Sequence, residues 1–232
     1  MKKRLLIVLT LLLGVSIITG CSLNKKEHRQ AALDFKKEYE QINDKVARGD
    51  LKYRSLNINE DNPYVKVDPS EIVKKIENNE TFYLYVGDHL CPWCRSGLEK
   101  AVEVAMKEGI KDIYYIDFWD DDHNEILRDL YTLELDKKNK PKYTKTRDAN
   151  PEYAKILDAV KDFVQDYTID KDGKTYNVGV KRIFGGDHFY FKDGKCEKYM
   201  SLRSEKLAGS FDPLTEEVLK DQEEVFTKFF KN

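Results

Sequence analysis

Cys91-Pro92-Trp93-Cys94 constrains this chain more than any other stretch, because of what flanks it. Ahead of it, Thr81-Phe82-Tyr83-Leu84-Tyr85-Val86-Gly87 reads as a short β-branched and aromatic strand closed by a glycine. Behind it, Arg95 to Lys107 carries Leu98, Ala101, Val102, Val104, Ala105 and Met106 and reads as an amphipathic helix. A C-x-x-C between a strand and a helix points to redox chemistry. The first cysteine falls at the helix N-terminus, where orphan N–H groups and the helix dipole favour a thiolate. The second lies one turn along, placed to open or close a disulfide with the first.

The N-terminus predicts where this chemistry takes place. Met1-Lys2-Lys3-Arg4 is a basic start, and Leu5 to Ile18 is an apolar run too short for a comfortable membrane span. Ile18-Thr19-Gly20-Cys21 has the shape of a bacterial lipobox, a resemblance that implies cleavage before Cys21 and diacylglycerol attachment to it. The alternative is an ordinary signal peptide with a chance cysteine; either one exports the chain to where disulfides persist. Residues 1–20 hold Lys2, Lys3 and Arg4 and no acid, so of 40 basic and 42 acidic residues 37 and 42 remain, a net charge of −5. Both signs are interspersed with no basic stripe, which argues against a nucleic-acid partner. Of four cysteines, one belongs to the lipobox, two to the motif, and Cys196 stands alone, so this is not a disulfide scaffold.

The rest of the chain reads as three parts: a leader over 1–20, an anchor linker with a helix over 21–61, and one domain over 62–232 interrupted at about 120–180. Ala31, Ala32, Phe35, Tyr39, Ile42 and Val46 predict a helix over Lys26–Arg48, which either lifts the domain off the membrane or packs on its core. Tyr64–Val67 reads as a strand. Asp68-Pro69-Ser70-Glu71 is a helix start, with Asp68 as N-cap and Pro69 at N1. Asp112–Phe118 is a near-continuous apolar run suited to a buried parallel strand. The interruption is expected to be helical over Asn124–Leu135 and Pro151–Tyr167, with a lysine-rich loop over Asp136–Asn150 between them. Asp172-Gly173 and Asp193-Gly194 each sit between alternating runs and predict hairpins. Glu216–Phe230 closes the chain as a helix.

Strand, C-P-W-C, helix, strand, a terminal Phe189-Tyr190-Phe191-Lys192-Asp193-Gly194-Lys195 hairpin and a last helix resemble, in that order, the thioredoxin-like superfamily. More narrowly the chain is similar to lipid-anchored thioredoxin-family proteins of Gram-positive bacteria, some of which are described as bacteriocin accessory proteins. The resemblance implies an α/β thioredoxin-like fold with a helical insertion after the strand that follows the CPWC helix, plus an N-terminal helix. It makes Cys91 the attacking cysteine and Cys94 the resolving one. Pro92 stands where glutaredoxins and periplasmic oxidants carry proline, and Trp93 is in place to contact substrate. The chain departs from the family at three points. The loop that elsewhere holds a cis-proline facing the disulfide aligns with Gly185-Gly186-Asp187-His188, with no proline. A cis peptide without proline costs ~3 kcal/mol, which predicts a trans, reshaped loop. The buried acid six residues before the first cysteine is Tyr85 here, so the Cys94 proton must go to another group or to water. Cys196 is extra.

These readings converge on a membrane-anchored, extracytoplasmic thiol–disulfide oxidoreductase. It is a monomer that needs no organic cofactor and acts on cysteine-containing exported proteins or peptides. The rival is a non-enzymatic binding or accessory lipoprotein on the same scaffold. His89 two residues before Cys91 is a candidate to lower its pKa, and Gly186, Asp187 and His188 are candidates to face the pair. Zinc would need two ligands beyond Cys91 and Cys94, and no second C-x-x-C supplies them, so no resident metal is expected. His188, if the loop faces the pair, is the candidate third ligand for an adventitious soft metal; otherwise it is expected to turn to solvent. Cys196 reads as a small buried hydrophobe, and Asp120-Asp121-Asp122-His123 as a solvated helix cap.

Overall fold

The computed structural model describes residues 25–120 and 124–231. The leader, Cys21 and the segment Asp121–His123 lie outside the described residues. The architecture is mixed α/β, built on one five-stranded mixed sheet with five helices and three separate two-stranded ribbons. No described helix is long and apolar enough to cross a membrane.

In chain order the elements are α1 (Lys25–Glu40), β1 (Val46–Arg48), β2 (Leu51–Lys52), β3 (Tyr64–Lys66), α2 (Pro69–Glu77), β4 (Phe82–Gly87), α3 (Pro92–Lys107) and β5 (Ile113–Asp117). There follow β6 (Leu130–Leu135), β7 (Pro141–Arg147), α4 (Pro151–Val160), β8 (Asp166–Lys171), β9 (Lys174–Lys181), β10 (Asp187–Lys192), β11 (Lys195–Ser201) and α5 (Glu216–Phe230). The main sheet runs β11-β10-β4-β5-β3. β3 and β4 both pair parallel to β5, and β10 pairs antiparallel to β4 and β11. This places β4, which leads into the cysteines, at the centre of the sheet.

Both faces of the sheet are covered, which is why its strands read as continuous apolar runs. Successive residues of β4 alternate faces: Tyr83 and Tyr85 join the core under α1, α3 and α5, while Phe82, Leu84 and Val86 join the core under α2 and α4. Local signals set the helix starts. The Asp68 carboxylate accepts from the Ser70 amide, Asn150 caps α4 with Pro151 next in line, and the Thr215 hydroxyl caps α5. Asp172-Gly173 and Asp193-Gly194 all have positive φ, and each pair turns a hairpin, β8–β9 and β10–β11. Gly97 lets α3 close on the chain after β11, because a Cβ there would lie 2.5 Å from the Leu202 carbonyl oxygen.

Three expectations are corrected. The first helix ends at Glu40, not Arg48: Asp44 takes a positive φ, and the Asn43 side chain leaves the helix to bond both the amide and the carbonyl of Leu56. Val46, which fitted the apolar stripe by spacing, is 64% exposed on a small hairpin. Phe35 and Tyr39 are buried in the same core as α3 and α5, so of the two alternatives for this helix the structure shows packing on the domain. Second, Asn124–Leu135 is not helical. Leu130–Leu135 is a strand, and the lysine-rich segment predicted as a loop supplies its partner, Pro141–Arg147. The Tyr- and Thr-containing alternation of Lys142-Tyr143-Thr144-Lys145-Thr146 fits a pleated edge, and this pairing overrides the helical spacing of Ile126, Leu127, Leu130 and Tyr131. Third, the insertion is therefore one helix with two hairpins, not a helical one, and α4 stops at Val160 rather than reaching Tyr167.

Candidate active site

β4 delivers Gly87-Asp88-His89-Leu90 to the start of α3, and Cys91 is the N-cap of that helix, with Pro92 at N1. The Cys91 sulfur accepts from the Cys94 backbone N–H at 3.2 Å, occupying an orphan donor of the first turn. Cys91 is partly exposed and Cys94 is fully buried; both are free thiols. The Cys94 thiol donates to Cys91 and holds its pKa below the ordinary thiol value, helped by the Cys94 amide and opposed by burial. Burial pushes Cys94 well above the ordinary value, and the neighbouring Cys91 adds to this. One sulfur is thus accessible and easily ionised; its partner is shielded and protonated.

The loop after β9 closes over the pair from the other side. A Cβ on Gly185 would lie 3.0 Å from the Cys94 sulfur and 3.2 Å from the Cys91 sulfur, and the Gly185 carbonyl oxygen is 4.0 Å from the latter. The predicted loop therefore does face the cysteines, through Gly185. Among the described residues no peptide bond is cis. Gly186 is buried with φ +104°, its amide donating to Val86 and its carbonyl accepting from Leu202. Asp187 folds its carboxylate back onto the loop, accepting from the Phe184 amide at 2.9 Å and the Tyr199 hydroxyl at 3.0 Å. Burial raises that carboxyl to about 7.

His188 is neither in solvent nor directed at the sulfurs. It is fully buried and stacked on Tyr85 with ring centroids 4.4 Å apart. Its Nε2 meets the Tyr64 hydroxyl at 2.9 Å and its Nδ1 meets the Gly186 carbonyl at 3.2 Å. With both ring nitrogens engaged it is not a third metal ligand, and burial lowers its pKa to about 3, so it is neutral. Residue parity explains this: His188 pairs with Tyr85 in register and shares its inward face.

His89 is also buried, its ring edge-on to Tyr39 and its Nδ1 3.9 Å from Glu38 Oε1 and 3.8 Å from Asp88 Oδ1. Glu38, His89 and Asp117 bring ligand-type atoms within 4.8 Å of one another. Lys66 Nζ lies 3.1 Å from Glu38 and 3.4 Å from Asp117, and the Tyr115 hydroxyl donates to Glu38 at 2.8 Å, so the chain itself meets the charge of these acids. Trp93 is half-buried beneath the Arg203 guanidinium, 4.4 Å above its ring. Cys196 lies on β11, packed against the opposite core, and burial pushes its thiol up to about 12.

Cys91 opens into a cleft of 620 Å³. Trp93, Phe118, Gly185 and Arg203 line it together with Arg128, Gln165 and Thr168 of the insertion. Asp88 sits in the same cleft with its carboxyl raised to about 6 by burial, and its charge disfavours ionisation of both thiols. The sequence reading missed Asp88, whose signal was an acid in a run of apolar residues three positions before Cys91. It also missed the insertion's share of the lining, which no local pattern announces. At the position of the absent acid, the Tyr85 ring lies over Gly87, its hydroxyl 2.8 Å from that of Tyr39 and hydrogen-bonded toward Cys94.

Comparison with protein-family models, with curated proteins and with solved structures finds no match to this chain.

Proposed function

We propose that this chain is a thiol–disulfide oxidoreductase with a thioredoxin-like fold, exported and held at the outer face of the cell membrane by a lipid on Cys21. The observation that carries the reading is the asymmetry of the pair: an accessible N-cap sulfur with a lowered pKa beside a fully buried thiol with a raised one. A static staple has no use for that difference, and a bridge across two intervening residues constrains too little chain to stabilise a fold appreciably. The strand order, with two parallel crossovers followed by an antiparallel hairpin and a final helix, supports the thioredoxin-like assignment.

In the oxidising direction a substrate thiolate attacks the Cys91 sulfur of the Cys91–Cys94 disulfide, and Cys94 leaves and takes up a proton. A second substrate thiolate then attacks the mixed disulfide and expels Cys91. Two electrons and two protons pass from the substrate dithiol to the pair. In reverse, the Cys91 thiolate opens a substrate disulfide and Cys94 resolves the adduct. For that second step Cys94 must lose a proton inside the core. Asp88, ionised above about pH 6, accepts it, and the Tyr85 hydroxyl supports the nascent thiolate by donating to it. Entry through a walled cleft suits an extended cysteine-bearing segment better than a flat folded surface. The same cleft is the feature that favours the binding-protein alternative.

Reduction of insulin disulfides and oxidative refolding of a reduced substrate test the proposal, with Cys91→Ser as control. Turnover in either assay that disappears in the control supports an enzyme. Binding of a peptide to wild type and control alike, without turnover, supports the accessory lipoprotein.

A further inference from the structure

Arg95, the residue after Cys94, is 1% exposed. Its Nη1 donates to the Tyr39 carbonyl at 2.6 Å and the His89 carbonyl at 3.4 Å. Its Nη2 donates to Asn43 Oδ1 at 2.6 Å and the Arg54 carbonyl at 2.6 Å, and its Nε to the same Arg54 carbonyl at 2.9 Å. Every acceptor is a neutral oxygen, and among the described residues no carboxylate pairs with this guanidinium. Arginine stays protonated in proteins. A buried charge without a counter-charge is costly even when its hydrogen bonds are made.

The position adds a second cost. Contact with the His89 carbonyl brings the guanidinium beside the start of α3, the positive end of that helix, where the first turn holds no acid. Two positive sources therefore lie at the start of α3, and Tyr53, whose ring is 5.8 Å from the guanidinium, has Cys91 as a neighbour too. The titratable and charged groups around the Cys91 sulfur are Asp88, His89, Tyr53 and Cys94, with Arg203 across the cleft and Tyr39 and Tyr85 behind. Asp88 works against a thiolate, and the tyrosines stay neutral because burial raises them. Arg203 lies across the cleft over Trp93; Arg95 is the buried guanidinium of this group, and Tyr53 and Cys94 are among the groups whose charge it feels.

We propose that Arg95 is the buried counter-charge of the thiolate formed by the reduced Cys91–Cys94 pair and thereby sets the reduction potential of that pair. The inference rests on reading the pair as redox-active. In exchange with glutathione, the protein disulfide and two glutathione thiols give a protein thiol, a protein thiolate, a proton and glutathione disulfide. A guanidinium that stabilises the thiolate draws this equilibrium toward the reduced protein and makes the pair more oxidising. Arg95 also ties the end of α1, Asn43 and Arg54 to the cysteine helix. A clamp alone would alter stability and leave the potential where it is.

The test uses the full chain carrying Cys21→Ser, with Arg95→Met to remove the charge and Arg95→Lys to keep it. The Cys91 pKa is read from thiolate absorbance, and the redox equilibrium against glutathione from the oxidised fraction. Arg95→Met should raise the Cys91 pKa by about one unit or more. It should move the glutathione equilibrium about tenfold, ~30 mV, in the reducing direction. Arg95→Lys should stay nearer wild type on both readouts. A folded Arg95→Met variant with unchanged pKa and potential overturns the proposal and leaves a clamp. If neither variant folds, the Arg95 Nε–H resonance of the reduced wild-type side chain is followed against pH: a shift that tracks the Cys91 titration supports the proposal, and a flat line overturns it. A wild type that never equilibrates with glutathione refutes the redox reading and this proposal together. A wild type that equilibrates alongside an unchanged Met variant refutes this proposal alone.

Discussion

The Tyr39 hydroxyl, on the N-terminal helix, lies 2.8 Å from the Tyr85 hydroxyl on the central strand, and both side chains are fully buried behind the cysteine pair. The segment preceding the predicted domain thus contributes to the floor of its site. Removing the Tyr85 hydroxyl strands that of Tyr39, and removing the Tyr39 hydroxyl leaves Tyr85 with Cys94 alone, so the two hydroxyls are coupled. Tyr39→Phe should cost ~1–3 kcal/mol, and Tyr39→Phe with Tyr85→Phe less than the sum of the two single changes. Denaturant unfolding of the three variants decides this. Strict additivity would mean that the two hydroxyls do not act as a pair.

Asp88 bears on both sulfurs in opposite senses. As a negative neighbour it disfavours the Cys91 thiolate; as a carboxylate with a pKa of about 6 it is the proposed acceptor of the Cys94 proton. Asp88→Asn should therefore lower the Cys91 pKa and speed the first attack at mildly acidic pH, yet slow resolution of the mixed disulfide. In wild type the resolution rate should rise with pH through about 6, as the base loses its proton, and that limb should vanish in the variant. Rapid-quench kinetics separates the two steps. A resolution limb that survives Asp88→Asn assigns the proton to another acceptor.

Gly185 is the closest approach of the opposing loop to the pair, with room for no Cβ beyond tight contact with either sulfur. Gly185→Ala should leave the fold in place and displace the sulfurs by a few tenths of an ångström. Exchange should slow by about tenfold to a hundredfold, since small misplacements at reacting atoms are expensive. Circular dichroism and the alkylation rate of Cys91 check the two halves of this statement. Unchanged alkylation and exchange would show that the loop does not bear on the reacting sulfur.

What the sequence disclosed and what it did not follow one physical line. Asp68-Pro69, the two Asp-Gly turns and the helix over Glu216–Phe230 depend on signals within a few residues, and the structure bears them out. The cysteine asymmetry was legible too, because it follows from position at a helix start. β6 and β7 were not, since each is strand-like only once the other pairs with it. Arg95 reads as one more polar residue on a helix; only the fold brings the carbonyls of Tyr39 and Arg54 to it. His188 was read by distance along the chain, but the two-residue period of β10 decided which way it faced.

The anchor is testable independently of the chemistry. Ile18-Thr19-Gly20-Cys21 predicts a mature chain that begins at a lipidated Cys21. Cys21→Ala should release the protein from the membrane fraction or block its processing, read by fractionation and by the mass of the mature N-terminus. Unchanged processing and membrane retention would contradict the lipoprotein reading.

The central claim, that Cys91 attacks and Cys94 resolves, is tested most directly by trapping. A Cys94→Ala variant is incubated with a disulfide-bonded peptide, and the adducts are mapped by mass spectrometry. The account predicts a stable mixed disulfide on Cys91, absent from wild type because Cys94 resolves it, and released by reductant. No adduct, or one distributed equally between Cys91 and Cys196, would contradict it.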